Sequence, residues 1–440
     1  MRTFFITTLG CKVNQYESDG IASELIQGGW LRRHQPQGAD IIIVNTCAVT
    51  SRAGMQSRQS IRSLIRSNPE ATVIVTGCHA QTAPETIGKI PGVHHILGHK
   101  NKLDIAKALS TGFSAWEKGK STLEFPIAQS LESRNFQSFK PAVTGEMTRT
   151  YLKIQDGCDA FCSYCIVPYS RGRSSSMPVS QVLEHLDYLG RAGYPEVILS
   201  GIHVGAYGHD LTPRTNLAEL LKIIIKMRQV GRFRLSSIEP VELTDEILEL
   251  AAQSPMFCDH FHIPLQNGDD TVLERMKRPY TTGFFRNLVN RIRTRLPGAG
   301  IGIDIMMGFP GETDQAFQRS YALIQELPVS YLHVFPFSAR PGTQAWDFSD
   351  KIPPDVIKQR CSRIRALGEE KKLAFARFNL GKTLDAVVQN NRDNTTGLLT
   401  AVTSNYLTLL AKGSDSALGC AVQVRLDEIG KKDKLYGTVL

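Results

Sequence analysis

The sequence has no uninterrupted apolar run approaching the ~18 residues that a membrane helix needs, so the residues point to no membrane span. Its first ten residues hold one basic residue and a short apolar run, with no small-residue cleavage site after them. They read as a first β-strand rather than a secretion signal. Cysteine is scattered and odd in number, nine in all, which argues against a secreted disulfide framework and places the chain in a reducing cytoplasm. Acid is missing from the segment between Arg52 and Arg66. What is present is room for two to three domains in 440 residues, a hydrophobic content of 42% suited to a globular protein, and a net charge of +9. That balance suits a polyanionic partner such as RNA, and it equally suits a merely basic protein.

Cysteine is concentrated in one place. Cys158, Cys162 and Cys165 follow a Cys-x3-Cys-x2-Cys spacing. A loop of that size can wrap three sulfurs around one face of a [4Fe-4S] cluster, which usually takes four thiolates. Three leave one iron open to a small molecule. A structural zinc site is the other reading, but zinc usually takes paired Cys-x2-Cys arms and four closed ligands. The stretch resembles the radical S-adenosylmethionine enzymes. That resemblance implies that the open iron binds S-adenosylmethionine and that one electron splits it to methionine and a 5′-deoxyadenosyl radical.

Three more cysteines end predicted strands. Strands over 3–10, 41–46 and 72–77 run into Cys11, Cys47 and Cys78, with helical segments between them, such as 18–27 and 53–66. Apolar strands alternating with helices indicate a parallel α/β sheet covered on both faces. Ligands gather outside the carboxyl ends of such strands, so these cysteines can converge on a second cluster. Three buried structural thiols are the alternative. Arg58, Arg62 and Arg66 recur every fourth residue in the acid-free segment. They form either a phosphate-binding stripe or a solvated face with acid partners from elsewhere.

The words around these cysteines, Thr8-Leu9-Gly10-Cys11-Lys12-Val13-Asn14, Asn45-Thr46-Cys47 and Thr76-Gly77-Cys78-His79-Ala80-Gln81, resemble the radical S-adenosylmethionine methylthiotransferases. The Lys12-Val13-Asn14 wording and Glu17 look most like the branch acting on threonylcarbamoyladenosine in tRNA. His79 departs from the aromatic residue more usual there.

The chain divides into an N-terminal domain over 1–140, a core over 144–375 and a small β domain over 376–440, with a polar connector at 118–147 and a boundary near 141–146. Within the core, strand-like runs at 151–155, 197–200, 233–238, 261–265, 301–307 and 331–337 alternate with helical patterns. They suggest an open (β/α)6 barrel, with a doubly wound sheet as the competing topology. In a barrel the chemistry belongs at the carboxyl ends of the strands. There lie Ser200 and Gly201 for a methionine amino group, and Ser237 and Glu239 for ribose or methionine. Gln266, Gly308 and Glu312 follow the later strands. Cys258, Cys361 and Cys420 read as structural or incidental. His260 and His262 read as structural residues on opposite sides of a strand. After a long basic helix at 355–378, short strands at 384–388, 398–410, 421–426 and 435–439 suggest a small β-barrel. Its position resembles the RNA-binding TRAM module, although only Tyr406 and Tyr436 are available there for stacking.

The resemblance implies a transferase that exchanges the hydrogen on carbon 2 of threonylcarbamoyladenosine, beside the anticodon, for a methylthio group. Two [4Fe-4S] clusters and S-adenosylmethionine are its cofactors. A tRNA anticodon stem-loop and an electron donor such as a flavodoxin or ferredoxin are its partners. Isopentenyladenosine in tRNA, a ribosomal-protein aspartate, or a non-catalytic iron-sulfur RNA-binding role are the alternatives.

Overall fold

A computed structural model describes residues 2–111, 136–143 and 147–440. The N-terminal part is a parallel sheet in the order β2-β1-β3-β4-β5, formed by Thr3–Thr8 (β1), Leu31–Arg32 (β2), Ile41–Thr46 (β3), Thr72–Gly77 (β4) and His95–Leu97 (β5). The short strands β2 and β5 were not foreseen from the sequence, since two or three residues carry too little periodicity. All six residues of β3 are buried. Ile41 and Ile43 pack toward helix α1 (Lys12–Gln27), while Ile42 and Val44 pack with Ile61 of helix α2 (Ser51–Ser67). Burial on both faces is why the strands read as continuous apolar runs. The strand order reverses between β1 and β3, and the crevice at such a switch point is where ligands bind.

The connector foreseen at 118–147 lies mostly outside the described residues. Residues 136–143 have no regular structure. Phe139 is buried there, and its carbonyl accepts a 2.6 Å hydrogen bond from Tyr16 Oη of α1.

The core begins with Arg149–Lys153 (β6). A two-residue ribbon of Gln155–Asp156 (β7) with Ser175–Ser176 (β8) brackets the clustered cysteines. Glu196–Ser200 (β9), Arg232–Leu235 (β10), His260–Gln266 (β11), Gly300–Met307 (β12) and Tyr331–Pro336 (β13) complete it. They form two parallel three-stranded sheets, β10-β9-β6 and β11-β12-β13. A bond from Ile238 N to the His262 carbonyl and a bridge between Phe233 and Phe257 join the two. The strands therefore stand in chain order, without the reversal of a doubly wound sheet. This is an open barrel, with β6 and β13 at its free edges. Helix α1 packs beside β6, and the long helix Pro354–Phe378 beside β13.

His260 and His262 are not on opposite sides. Both rings stack parallel to Tyr331, at 6.0 and 6.1 Å. Residues two apart on a strand share a face.

The C-terminal part is a closed barrel in the order β14-β15-β16-β18-β17, of Thr383–Arg392 (β14), Leu399–Thr403 (β15), Thr408–Lys412 (β16), Ala421–Ile429 (β17) and Leu435–Val439 (β18). The stretch expected as one strand at 398–410 is two, split at a turn where Tyr406 takes φ +75°. That turn docks on the core. Buried Arg234 donates to the carbonyls of Thr403 and Ser404, and Arg232 to that of Val402. Glu196 pairs with both guanidiniums. Gly300 permits the approach, since a Cβ there would stand 2.1 Å from the Asn405 carbonyl oxygen.

Candidate functional site

Cys158, Cys162 and Cys165 sit on the loop after β7, at the carboxyl end of the core strands. The loop turns sharply at Gly157, φ +71°, where a Cβ would lie 2.0 Å from the Arg173 carbonyl oxygen. It is pinned by Ser163 N to the Met276 carbonyl at 3.2 Å and Ala345 N to the Ser163 carbonyl at 2.8 Å. Cations face its sulfurs. Arg278 Nη1 donates to Cys162 Sγ at 3.3 Å. His203 Nδ1 stands 3.3 Å from Cys158 Sγ, and its Nε2 is 2.8 Å from Glu242. Burial works against a charged imidazole, but the contacts with Cys158 and Glu242 override it and raise His203 to about 11. Burial, with Cys162 and Cys158 adding to it, pushes the Cys165 thiol up to about 12. A thiol ligates metal only as thiolate, and donors aimed at the sulfurs suit an anionic group on this loop.

Cys11, Cys47 and Cys78 follow β1, β3 and β4. Cys47 and Cys78 are buried and Cys11 is exposed. The thiols are electrostatic neighbours, since burial first and then Cys78 and Cys11 raise Cys47 to about 11. A Cβ on Gly10, φ +110°, would lie 3.0 Å from Cys47 Sγ, so glycine keeps this cradle open. One buried ion network binds this edge to the core. Arg171, just after the Cys158 loop, reaches Glu17 and Asp156 at 2.9 Å each. Lys153 reaches Glu17 at 3.4 Å and Asp156 at 2.9 Å, and Lys102 also pairs with Glu17. Burial would raise Glu17, but Arg171, Lys102 and Lys153 outweigh it and hold the carboxyl well below its usual range. Three bases face two acids here, and the surplus charge lies beside the N-terminal cysteines. Both triads thus fit the chemistry of a thiolate-bound cluster.

A cavity of about 290 Å³ opens above the Cys158 loop. It is lined by Cys158, Cys162 and Cys165 on one side and by Val49 and Thr50 of the Cys47 loop on another. The Cys158 loop and the Cys47 loop therefore wall one chamber, which Cys11, Cys47 and Cys78 do not themselves line. Of the remaining foreseen residues, Glu239 and Gln266 line it. Glu239 is ion-paired to Arg278, and Gln266 holds φ +66°.

The others are placed elsewhere. Ser200 is buried, and its carbonyl accepts from Ile154 N at 2.9 Å. Gly201 is pressed against Gln155. Ser237 Oγ contacts His262 Nδ1 at 2.6 Å. Gly308, φ +81°, is backed by Ile357. Glu312 turns into the core, where it pairs with Arg360 at 2.7 Å and accepts from Gly308 N and Asn267 Nδ2 at 3.1 Å each. It holds the loop rather than facing the chamber. Asp304 also lines the chamber and groups with His262 and His333, their ligand atoms within 4.8 Å of one another.

The arginine stripe divides. Arg62 and Arg66 are exposed, whereas Arg58 turns in and its Nη1 lies 3.3 Å from His79 Nε2. Burial first, then Arg58 and Arg340, lowers His79 to about 4. Arg171, Arg278 and His203 carried no local signal in the sequence, because each acquires its role through a partner distant in the chain.

Comparison with known proteins shows the family. Residues 3–98 match the uncharacterized protein family UPF0004, and residues 152–324 match the radical SAM superfamily. The threonylcarbamoyladenosine tRNA methylthiotransferase MtaB of Bacillus subtilis is 35% identical over 433 residues, 98% of this chain and 95% of that protein. Its counterpart in Aquifex aeolicus is 33% identical, covering 92% and 96%. The tRNA-2-methylthio-N(6)-dimethylallyladenosine synthase of Carboxydothermus hydrogenoformans is 31% identical, covering 100% and 99%. Among solved structures, the radical S-adenosylmethionine methyltransferase TsrM of Kitasatospora setae superposes with a TM-score of 0.56 at 18% identity, over 78% of this chain and 77% of that one. At that identity the likeness is one of fold.

Proposed function

The chain belongs to the radical S-adenosylmethionine methylthiotransferases, and from that footing we propose that it converts N6-threonylcarbamoyladenosine beside the tRNA anticodon to its 2-methylthio derivative. It is a transferase whose cofactors are [4Fe-4S] clusters and S-adenosylmethionine. The observation that carries the reading is the shared chamber, walled by the Cys158 loop from the core and by Val49 and Thr50 from the Cys47 loop.

In this reading Cys158, Cys162 and Cys165 hold the cluster that meets S-adenosylmethionine, and Cys11, Cys47 and Cys78 hold the second. Bound there, these groups supply one-electron chemistry and a methylthio group. Glu239 and Gln266 orient the cofactor from the chamber wall. Ser200, Gly201, Ser237, Gly308 and Glu312 act from behind it, by fixing the loops that carry it. Arg278 and His203 hold the first triad's sulfurs in an anionic state. Arg171 fixes the distance between the two triads. Val49, Thr50 and Phe335 narrow the chamber against water. An anticodon stem-loop enters from the open side, a flavodoxin or ferredoxin delivers electrons, and the reaction takes place in the cytoplasm. No helix among the described residues is long and apolar enough to cross a membrane.

The test is anaerobic reconstitution with iron and sulfide, followed by incubation with S-adenosylmethionine, dithionite and tRNA bearing threonylcarbamoyladenosine. Digested tRNA should yield the 2-methylthio nucleoside by mass spectrometry. Conversion of dimethylallyladenosine instead would overturn the substrate.

A further inference from the structure

At the seam between the N-terminal sheet and the core, two neighbouring guanidiniums lie behind residues that line the chamber, and neither is paired to a carboxylate. Thr50 lines the chamber. Its neighbour Ser51 donates through N to Ser338 Oγ at 2.9 Å, and Ser338 is itself part of the lining. Two residues further on, Arg340 Nη1 stands 3.5 Å from Ser51 Oγ. Arg58, from the second turn of α2, completes the group through His79. The side-chain contacts of Arg58 and Arg340 among the described residues run to His79 and Ser51 rather than to a carboxylate, and Arg340 Nε is buried without a partner. Other buried arginines nearby are matched: Arg171 to Glu17 and Asp156, Arg278 to Glu239, and Arg360 to Glu312. Like charges held together in a half-buried seam are costly unless an anion joins them.

We propose that Arg58 and Arg340 form the receptor for the carboxylate carried by the threonylcarbamoyl group of the substrate adenosine. The inference rests on the functional reading above and deepens it. The adenine must present carbon 2 to the chamber between the triads, so its N6 substituent lies toward a wall. A threonylcarbamoyl group ends in a carboxylate, which two planar guanidiniums can grip in fork geometry. A dimethylallyl group is apolar and would leave both arginines unpaired, which makes the pair a discriminating element as well as an attractive one. Ser51 and Ser338 tie the two sides of the seam together and so set the arginines' spacing.

The experiment uses the full-length, anaerobically reconstituted protein and three anticodon stem-loops of one sequence. Their target adenosine is unmodified, threonylcarbamoylated or dimethylallylated. The wild type should bind the threonylcarbamoyl RNA about tenfold more tightly than the unmodified one, the scale of one charge-assisted contact. Arg58→Met and Arg340→Met, made separately and checked for wild-type iron content and circular dichroism, should each erase most of that preference without weakening the unmodified RNA. Arg58→Lys should restore part of it.

Equal weakening of all three RNAs would assign the pair to backbone phosphate and overturn the receptor. A retained preference would overturn it as well, and a shifted potential of the second cluster alongside would assign the arginines to Cys47. If the wild type methylthiolates only the dimethylallyl RNA, the functional reading falls and the receptor with it. If it methylthiolates the threonylcarbamoyl RNA while the variants keep the preference, only the receptor falls.

Discussion

Arg171 Nη1 lies 2.9 Å from Glu17 Oε1, and this pair joins the helix that follows Cys11 to the chain leaving Cys165. Both side chains are almost fully buried. Removing one partner of such a pair leaves an uncompensated buried charge, which costs about 3–5 kcal/mol. Arg171→Met should therefore lower the stability of the apoprotein by that order, measured by urea unfolding. Because the pair also sets the spacing of the triads, methylthiolation should fall further than S-adenosylmethionine cleavage does. Equal loss of both would show that the pair only stabilises the fold.

Two triads predict about eight irons per reconstituted chain. Replacing Cys158, Cys162 and Cys165 together by Ala should leave about half of them. A full complement in that variant, measured by iron analysis, rules out the loop as a ligand set.

The triads should separate by product. A Cys11, Cys47, Cys78→Ala variant retains the chamber wall formed by the Cys158 loop. It should still release 5′-deoxyadenosine from S-adenosylmethionine with dithionite, and it should make no methylthiolated nucleoside. The reciprocal variant should make neither. Methylthiolated adenosine from the first variant would sink the assignment of the N-terminal cysteines to sulfur insertion.

Arg62 and Arg66 are the exposed remainder of the stripe on α2. Replacing both by Gln should weaken tRNA binding and lower the slope of log affinity against log salt by roughly one unit per lost phosphate contact. An unchanged slope identifies an ordinary solvated face.

The docking of the C-terminal barrel carries a pH signature. Burial would raise Glu196, but Arg234 and Arg232 outweigh it and lower it to about 2. A depressed carboxyl contributes stability that is fully present above its unfolded value and is lost as pH falls through the folded one. The wild-type apoprotein should therefore lose about 3 kcal/mol between roughly pH 4.5 and pH 2 through this group. Glu196→Gln should be less stable at neutral pH and should show a shallower acid loss over that window. Parallel curves from thermal unfolding would show that Glu196 does not hold the interface.

The sequence by itself determined the strands that end on Cys11, Cys47 and Cys78 and the spacing of Cys158, Cys162 and Cys165. Both are local patterns: a buried parallel strand must be apolar throughout, and a loop must place its ligands within a few residues. The alternation of the core likewise showed in its periodicity. The shortest strands did not, and neither did the break at Tyr406, where a left-handed backbone rather than a turn-forming glycine divides an apolar run. Only the tertiary structure decided that the core strands stand in chain order, that Glu312 turns inward to Arg360 while Glu239 faces the chamber, and that Arg58 leaves its stripe for His79. The physical reason is the same for each. A charged side chain goes where its desolvation is offset, and the groups that offset it here lie tens to hundreds of residues away, out of reach of any local pattern.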